Sequence, residues 1–186
     1  HFHLSLQSGC DATLKRMNRH YTTEDYLRRC GILRKWFDHP AITTDVIVGF
    51  PGETQEEFEI TREFLKKVHF YEMHVFKYSK RAGTRAAVMP DQVPEQVKGR
   101  RSDVLLELEA SMSREYREHF IGSSVWVLFE DMAEVEGRKY IIGHTPQYVK
   151  AALAVKDGEK NRLSGQILCL KAAGLLGGDL LEVGWQ

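Results

Sequence analysis

The first half of the chain alternates strand-like and helix-like hydrophobic patterns. Leu4 and Leu6 alternate with polar neighbours, which predicts a short strand. Residues 46–48 are consecutively apolar, as is typical of a parallel strand covered on both faces. A third strand is predicted over 73–78. Helical patterns between these strands imply right-handed crossovers and a parallel sheet.

Three helices are predicted from caps and spacing. One begins near Thr23 and ends before Asp38-His39-Pro40. The second follows Thr54, which forms a capping-box pattern with Glu57. A long third helix spans 95–118, and its charged residues, Arg101 among them, fit a solvent-facing side. Residues 81–94 lack periodicity and are predicted to form a loop.

The second half changes to short strands punctuated by glycine. About five strands in about 65 residues favour a small antiparallel barrel of the OB-like kind. The predicted strands are 125–129, 140–143, 148–152, 166–170 and 180–183. The fold class is therefore α/β followed by all-β, with one domain over 1–120 and a second over 121–186.

Composition excludes several classes of protein. Lysine plus arginine and aspartate plus glutamate each number 26, so no global positive field indicates nucleic-acid binding. The three cysteines, Cys10, Cys30 and Cys169, are widely separated and odd in number, which favours a reducing cytosol over a disulfide framework. No apolar run is long enough to span a membrane. The start His1-Phe2-His3 lacks an initiator Met, and we expect it to lie inside a larger protein.

The most informative segment is the turn Gly49-Phe50-Pro51-Gly52-Glu53, which links a strand to a capped helix. Glycines allow a ligand to approach the backbone, and Glu53 could accept hydrogen bonds from an amine or ribose. The alternative is a tight turn in which Glu53 is only a first-turn helix carboxylate. The turn lacks the glycine and lysine spacing of a phosphate loop.

Polar groups end the other two strands. Gln7 and Ser8 suit a zwitterionic or sugar-like ligand, and an ordinary turn is the alternative. His3 lies within the first strand, where packing is commoner than catalysis. Asp45 begins a buried run and therefore needs a partner. Basic residues near the strand ends, with neighbouring aromatic rings, favour a polyanion over simple solvation: Lys15, Arg16, Arg19, His20, Lys77, Lys80, Arg81 and Arg85.

Three blocks carry a resemblance to a known family. The runs HFHLSLQSGCDATLKRMNRHYT, TDVIVGFPGETQEEF and FKYSKRAGTRAA resemble the radical S-adenosylmethionine methylthiotransferases, in the same order. The segment GHTPQYVK resembles their TRAM domain, an RNA-binding barrel. Ser5 stands where other branches more usually have proline, so the first block is similar to the branch that modifies N6-threonylcarbamoyladenosine in tRNA. The isopentenyladenosine and ribosomal-protein branches stay open.

The resemblance implies a partial (β/α) radical-SAM barrel with three parallel strands and a TRAM barrel. It implies S-adenosylmethionine and two [4Fe–4S] clusters in the full-length parent, with a methylthio group added at C2 of the adenine next to the anticodon. The cluster motif Cys-x-x-x-Cys-x-x-Cys is absent from this sequence. We therefore expect this fragment to be inactive alone, with no catalytic or metal-binding residue of its own.

Site residues are carried over from the family position by position. Those implied for S-adenosylmethionine are Gln7, Ser8, Val48, Gly49, Phe50, Glu53, Phe76 and Tyr78. Those expected to contact substrate are Arg19, Lys77 and Arg81. The resemblance also implies tRNA as partner, a cytoplasmic location and no membrane.

Two further readings and one structural consequence remain open. The chain could be an RNA-binding fragment without catalysis, or an unrelated α/β enzyme whose Gly-Phe-Pro-Gly loop grips a nucleotide. Three parallel strands cannot close a barrel, so both sheet edges are open and self-association through an edge strand is possible.

Overall fold

The computed structural model describes residues 1–155 and 160–185. The chain forms two compact units, Phe2–Ser113 and His1 with Arg114–Gln186. The division falls inside the long helix Glu95–Glu118, and the predicted domain boundary lies after residue 120. The two units are called below the α/β unit and the barrel unit.

The α/β unit contains a parallel three-stranded sheet, as predicted. Its strands are β1 (Phe2–His3), β2 (Ile42–Val48) and β3 (Glu72–Lys77), in the order β1-β2-β3. Strand β1 ends at His3, before the Leu4 and Leu6 alternation from which it was predicted. The Leu6 amide donates to the Thr44 hydroxyl at 2.9 Å rather than to a backbone carbonyl.

Four helices accompany this sheet. They are α1 (Asp11–Arg16), α2 (Thr23–Trp36), α3 (Gln55–Val68) and α4 (Glu95–Glu118). The last three contribute side chains to the core on one face of the sheet. Full capping boxes begin α2 and α3, which is why their starts were predictable. The six-residue α1 was missed because it has too few turns to show a periodic apolar face. A 3₁₀ turn, Arg85–Val88, lies within the predicted loop.

The core of the α/β unit lies between the sheet and its helices. Strand residues Ile42, Val46 and Val48 pack with Phe58 and Leu65 of α3, all at most 2% exposed. The solvent-facing position predicted for Arg101 on α4 is wrong, because only 5% of this residue is exposed. A buried guanidinium needs acceptors, and Arg101 has them, as described below.

The barrel unit is a closed five-stranded barrel. Its strands are β4 (Ser124–Val135), β5 (Arg138–His144), β6 (Lys150–Ala154), β7 (Ile167–Leu176) and β8 (Leu180–Gly184). Their order is β4-β5-β6-β8-β7, and a short helix α5 (Lys160–Leu163) lies between β6 and β7 in the chain. Five strands were predicted in these places.

The predicted all-antiparallel pairing is wrong at one position, because β6 and β8 pair in parallel. The reason is geometric: directions cannot alternate all the way around a closed ring with an odd number of strands. The other four pairs are antiparallel.

Close backbone contact between β4 and β5 depends on one glycine. A Cβ atom at Gly143 would lie 2.2 Å from the Leu128 carbonyl oxygen and 2.8 Å from the Phe129 Cα. Strand β4 also carries a bulge between Phe129 and Asp131. Gly143 therefore lets the two strands approach where β4 bends.

Within the described residues, no helix combines the length and the apolarity that a membrane crossing requires.

Candidate cofactor site at the strand ends

The carboxyl ends of the three chain segments in the sheet lie side by side. Gln7 forms an isolated parallel bridge with Val46, and the Tyr78 amide donates to the Val48 carbonyl at 2.9 Å. Gln7 adopts a left-handed conformation with φ of 72°, which is uncommon for a residue with a side chain. The fold therefore places three polar turns at one edge, where ligands of α/β sheets bind.

The turn after β2 is fixed by glycine conformation and by one carboxylate. Gly49 and Gly52 have φ of 72° and 75°. The Gly49 amide donates to Glu53 Oε1 at 3.0 Å. A Cβ at Gly49 would lie 2.4 Å from Lys98 Cγ, so no side chain fits there without displacing Lys98.

Glu53 forms a buried ion pair with Arg101 of α4. Arg101 Nη1 donates to Glu53 Oε1 at 2.6 Å and to the Glu53 backbone carbonyl at 3.1 Å. Both side chains are at most 6% exposed. Burial raises the pKa of Glu53, although the Gly49 amide and Arg101 both favour its ionised form. The Glu53 carboxylate therefore stabilises the turn between β2 and α3, through the Gly49 amide and the Arg101 guanidinium.

Lys98, one turn before Arg101, fixes the end of β3. Its Nζ donates to the Tyr78 carbonyl at 2.9 Å and to Glu95 Oε1 at 2.6 Å. The same Nζ lies 5.5 Å from the centroid of the Tyr78 ring. Sequence reasoning missed this residue, since a lysine on a helix is usually solvated. The i, i+3 spacing of Lys98 and Arg101 is the signal that could have paired them.

A cavity of about 650 Å³ opens beside these strand ends. This volume lies within the range of small-molecule sites. Six of the predicted contact residues line it: Arg19, Phe50, Phe76, Lys77, Tyr78 and Arg81. Sequence reasoning did not identify its other lining residues: Met17, Ile47, Ser79, Thr84 and Ala86.

Aromatic rings and one hydroxyl define the character of the cavity. The Phe50 and Tyr78 rings meet edge to face, with centroids 5.3 Å apart. Phe76 is 53% exposed, which leaves its ring face accessible. The Tyr78 hydroxyl is buried and has no hydrogen-bond partner among the described residues. A flat aromatic ligand would stack on the accessible ring faces.

The other predicted cofactor residues are buried around the cavity rather than lining it. Gln7 is 9% exposed, Glu53 is 6% exposed, and Val48 belongs to the core. The Ser8 hydroxyl lies 3.2 Å from the Thr61 hydroxyl and accepts from the Cys10 amide at 3.2 Å. These residues and Gly49 therefore hold the strand ends in position and do not line the cavity.

The cysteines do not form a thiolate set. Cys10 and Cys30 are buried in the α/β unit, and Cys169 is exposed on β7 of the barrel unit. An iron–sulfur cluster needs several thiolates converging on it. The three cysteines of this chain do not fit such a cluster.

The outer face of the barrel unit carries exposed apolar and aromatic side chains. Trp126 and Leu128 on β4 pair with Cys169 and Ile167 on β7, and Trp126 is 57% exposed. The rings of His144 and Tyr148 stack with centroids 4.6 Å apart. Exposed rings of this kind can stack with unpaired bases.

Sequence comparisons give the class first. Residues 1–65 match the sequence model of the radical SAM superfamily. This segment contains β1, β2 and the turn from Gly49 to Glu53. The matched residues therefore include two of the three strand ends that lie at the candidate site.

Two curated relatives that match most of this chain carry a more particular name. The chain is 44% identical over 151 residues to the threonylcarbamoyladenosine tRNA methylthiotransferase MtaB of Bacillus subtilis, covering 81% of this chain and 34% of that protein. It is 46% identical over 138 residues to a tRNA-2-methylthio-N(6)-dimethylallyladenosine synthase of Acetivibrio thermocellus, covering 74% and 29%. The predicted resemblance is confirmed: the chain is a partial match to the tRNA methylthiotransferase family, and it spans about a third of the length of these relatives.

Proposed function

We propose that the chain is the C-terminal portion of a radical SAM tRNA methylthiotransferase, whose α/β unit supplies part of the S-adenosylmethionine pocket. The observation that carries this proposal is the strand-end cavity with its aromatic rings and its unpartnered Tyr78 hydroxyl. It occurs in a chain 44% identical to an enzyme named for this activity.

The cavity residues have separate roles in this proposal. Phe50, Phe76 and Tyr78 hold the adenine, and the Tyr78 hydroxyl bonds to its polar edge. Arg19, Lys77 and Arg81 contact anionic groups of the cofactor or the substrate tRNA. The remaining predicted residues act on the cofactor by positioning the strand ends: Gln7, Ser8, Val48, Gly49 and Glu53.

The full-length parent is proposed to hold two [4Fe–4S] clusters through cysteines that this chain lacks. Bound there, such clusters would supply an electron and sulfur for the reaction. The chain alone should therefore bind the cofactor without methylthiolation activity. An assay of the isolated chain with S-adenosylmethionine, reductant and tRNA should give no product, and product formation would contradict the inference from the missing cysteines.

Within the family, we propose the branch that modifies N6-threonylcarbamoyladenosine at C2. Ser5 and the similarity to the Bacillus subtilis enzyme support it. Comparable identity to dimethylallyladenosine synthases makes that substrate the alternative. Mass spectrometry of tRNA from a host lacking both activities, complemented with the full-length parent, distinguishes the two substrates and the ribosomal-protein branch.

Cofactor binding is tested by removing one hydroxyl. Tyr78→Phe retains the ring, and we expect S-adenosylmethionine affinity to fall about fivefold to tenfold, the effect of losing one hydrogen bond of about 1 kcal/mol. Tyr148→Phe in the barrel unit is the matched control and should leave affinity unchanged. Equal affinities of the three proteins in calorimetry would refute the pocket.

We further propose that residues 121–186 form the TRAM domain and bind tRNA. The exposed Trp126 and the stacked His144 and Tyr148 support this role. Trp126→Ala should weaken tRNA binding in gel shifts, whereas Trp36→Ala, which alters a tryptophan 74% exposed in the α/β unit, should not. Binding should weaken with salt, and salt-independent or equal binding of the variants would contradict a role for this face. A fragment that binds tRNA but not S-adenosylmethionine would favour the alternative of a purely RNA-binding piece.

Self-association through the edges of the three-stranded sheet is the remaining proposal. Strands β1 and β3 are its two edges. Unpaired edge groups favour pairing with another chain. Light scattering at increasing concentration should detect dimers, and a monodisperse monomer at every concentration would contradict this proposal.

A further inference from the structure

Three potential metal ligands meet on the sheet face opposite the helices. His3 lies on β1, Asp45 on β2 and His74 on β3, so each strand contributes one. A ligand atom of each lies within 4.8 Å of the other two. Asp45 and His74 are direct partners in the register of β2 and β3. The sequence predicted no metal site because these ligands are about 30 to 40 residues apart in the chain and follow no spacing motif.

The separation of two ligand atoms matches a metal coordination sphere. His3 Nε2 and Asp45 Oδ2 are 3.3 Å apart. Two ligands each about 2.0 Å from a tetrahedral Zn²⁺ are separated by roughly 3.3 Å. A small shift of the exposed His74 side chain would bring the third ligand to the same distance. The cluster therefore needs little rearrangement to hold an ion.

Neighbouring hydroxyls orient two of the ligands. His3 Nδ1 lies 3.0 Å from the Thr43 hydroxyl, which leaves Nε2 directed toward Asp45. The Ser5 hydroxyl donates to Asp45 Oδ2 at 3.1 Å. Metal sites in proteins commonly have this second layer, in which the other histidine nitrogen and the carboxylate are both hydrogen-bonded.

We propose that His3, Asp45 and His74 bind one divalent transition-metal ion, with Zn²⁺ preferred. Two imidazoles and one carboxylate suit zinc, whereas Mg²⁺ and Ca²⁺ prefer oxygen ligands. Three protein ligands leave a fourth position open to water or another ligand. The bound ion would also link all three strands on the sheet face opposite the described helices.

The metal site adjoins the cavity without sharing its residues. Asp45 and His74 precede Ile47 and Phe76 by two positions on their strands, so all four side chains project from the same face. The pairs are separated by roughly 6.6 Å along the strands. A metal here is independent of the proposed S-adenosylmethionine site, and either could fail without the other.

The test uses the purified chain after dialysis against a chelator. Titration with Zn²⁺ against a chromophoric competitor should show one site per chain. His3→Ala, Asp45→Asn and His74→Ala should each weaken binding at least about tenfold. His20→Ala is the matched control, because His20 is an exposed histidine outside the cluster, and it should bind zinc like the unmodified chain. Co²⁺ in place of Zn²⁺ should give the visible spectrum of a four-coordinate site.

Three results would overturn the proposal. The first is no zinc uptake, which would leave the cluster as a histidine–aspartate hydrogen bond. The second is an equal loss of affinity in His20→Ala and His74→Ala, which would indicate scattered binding by surface histidines. The third is tighter binding of Mg²⁺ than of Zn²⁺. Each is read from metal titrations alone, so none depends on S-adenosylmethionine binding.

Discussion

The α/β unit and the barrel unit stabilise their strands in different ways. The sheet β1-β2-β3 has two open edges, and its strand ends are held by side chains of α4, Lys98 and Arg101. The barrel closes on itself through backbone pairing around the whole ring. An open sheet leaves its strand ends available for a ligand, but charged side chains must then fix those ends. A closed barrel is held by pairing around the ring, with one comparable contact, from Arg117 Nη1 of α4 to the Gly178 carbonyl at 3.4 Å, and it presents its outer face instead.

The largest expected effect is removal of the buried guanidinium. Arg101→Met leaves Glu53 buried without its ion-pair partner, and we expect the free energy of unfolding to fall by about 3–5 kcal/mol. Arg100→Met, at the adjacent exposed position, should change it by less than about 0.5 kcal/mol. Urea unfolding of both variants measures the difference. Similar stabilities would mean that α4 does not fix the turn after β2.

Acid should partly rescue Arg101→Met. Burial already raises the pKa of Glu53, and loss of Arg101 removes an interaction that lowers it. A carboxyl whose folded pKa is raised costs stability as the pH rises through that pKa. The deficit relative to the unmodified chain should therefore shrink as the pH falls. A deficit independent of pH would place the damage in packing rather than in charge.

The next effect concerns the barrel. Gly143→Ala places a Cβ against the Leu128 carbonyl, and we expect a loss of about 2–3 kcal/mol from overpacking. Gly184→Ala is the control, since a Cβ there meets nothing within 4 Å. If thermal unfolding showed the two variants to be equally stable, close approach of β4 and β5 would not limit the barrel.

The smallest effect is a pH dependence in the α/β unit. Glu57 accepts a paired hydrogen bond from Arg16, which together with the Thr54 amide lowers its pKa despite burial. The stabilisation is present above the unfolded value of about 4.5 and is lost as the pH falls through the folded pKa. Glu57→Gln retains the capping box and should reduce the pH-dependent part of the free energy of unfolding by about 1 kcal/mol. Glu56→Gln should leave that part unchanged. Parallel stability–pH curves for all three proteins would contradict the assignment.

Much of the fold was predictable because local signals agreed with it. The cap signals near Thr23, the capping box at Thr54 and the consecutive apolar residues of β2 each indicated the element that formed. Two features depended on long-range geometry instead. The parallel β6–β8 pair follows from closure of an odd-numbered ring, and the burial of Arg101 follows from the position of Glu53.

The candidate site was predictable only in part. Phe50, Phe76 and Tyr78 could be placed at strand ends from the sequence pattern, and they line the cavity. The contribution of Lys98 and the His3, Asp45 and His74 cluster could not be predicted. These residues are distant in sequence, and only the packing of α4 and the register of the three strands bring them together.

A titration of the ¹⁵N-labelled chain with S-adenosylmethionine, followed by amide chemical shifts, tests the cofactor site most directly. We expect the largest shifts at Phe50 and at residues 76–81 around the cavity, with the barrel unit unchanged. Shifts centred on the barrel strands, or none anywhere at saturating cofactor, would contradict it.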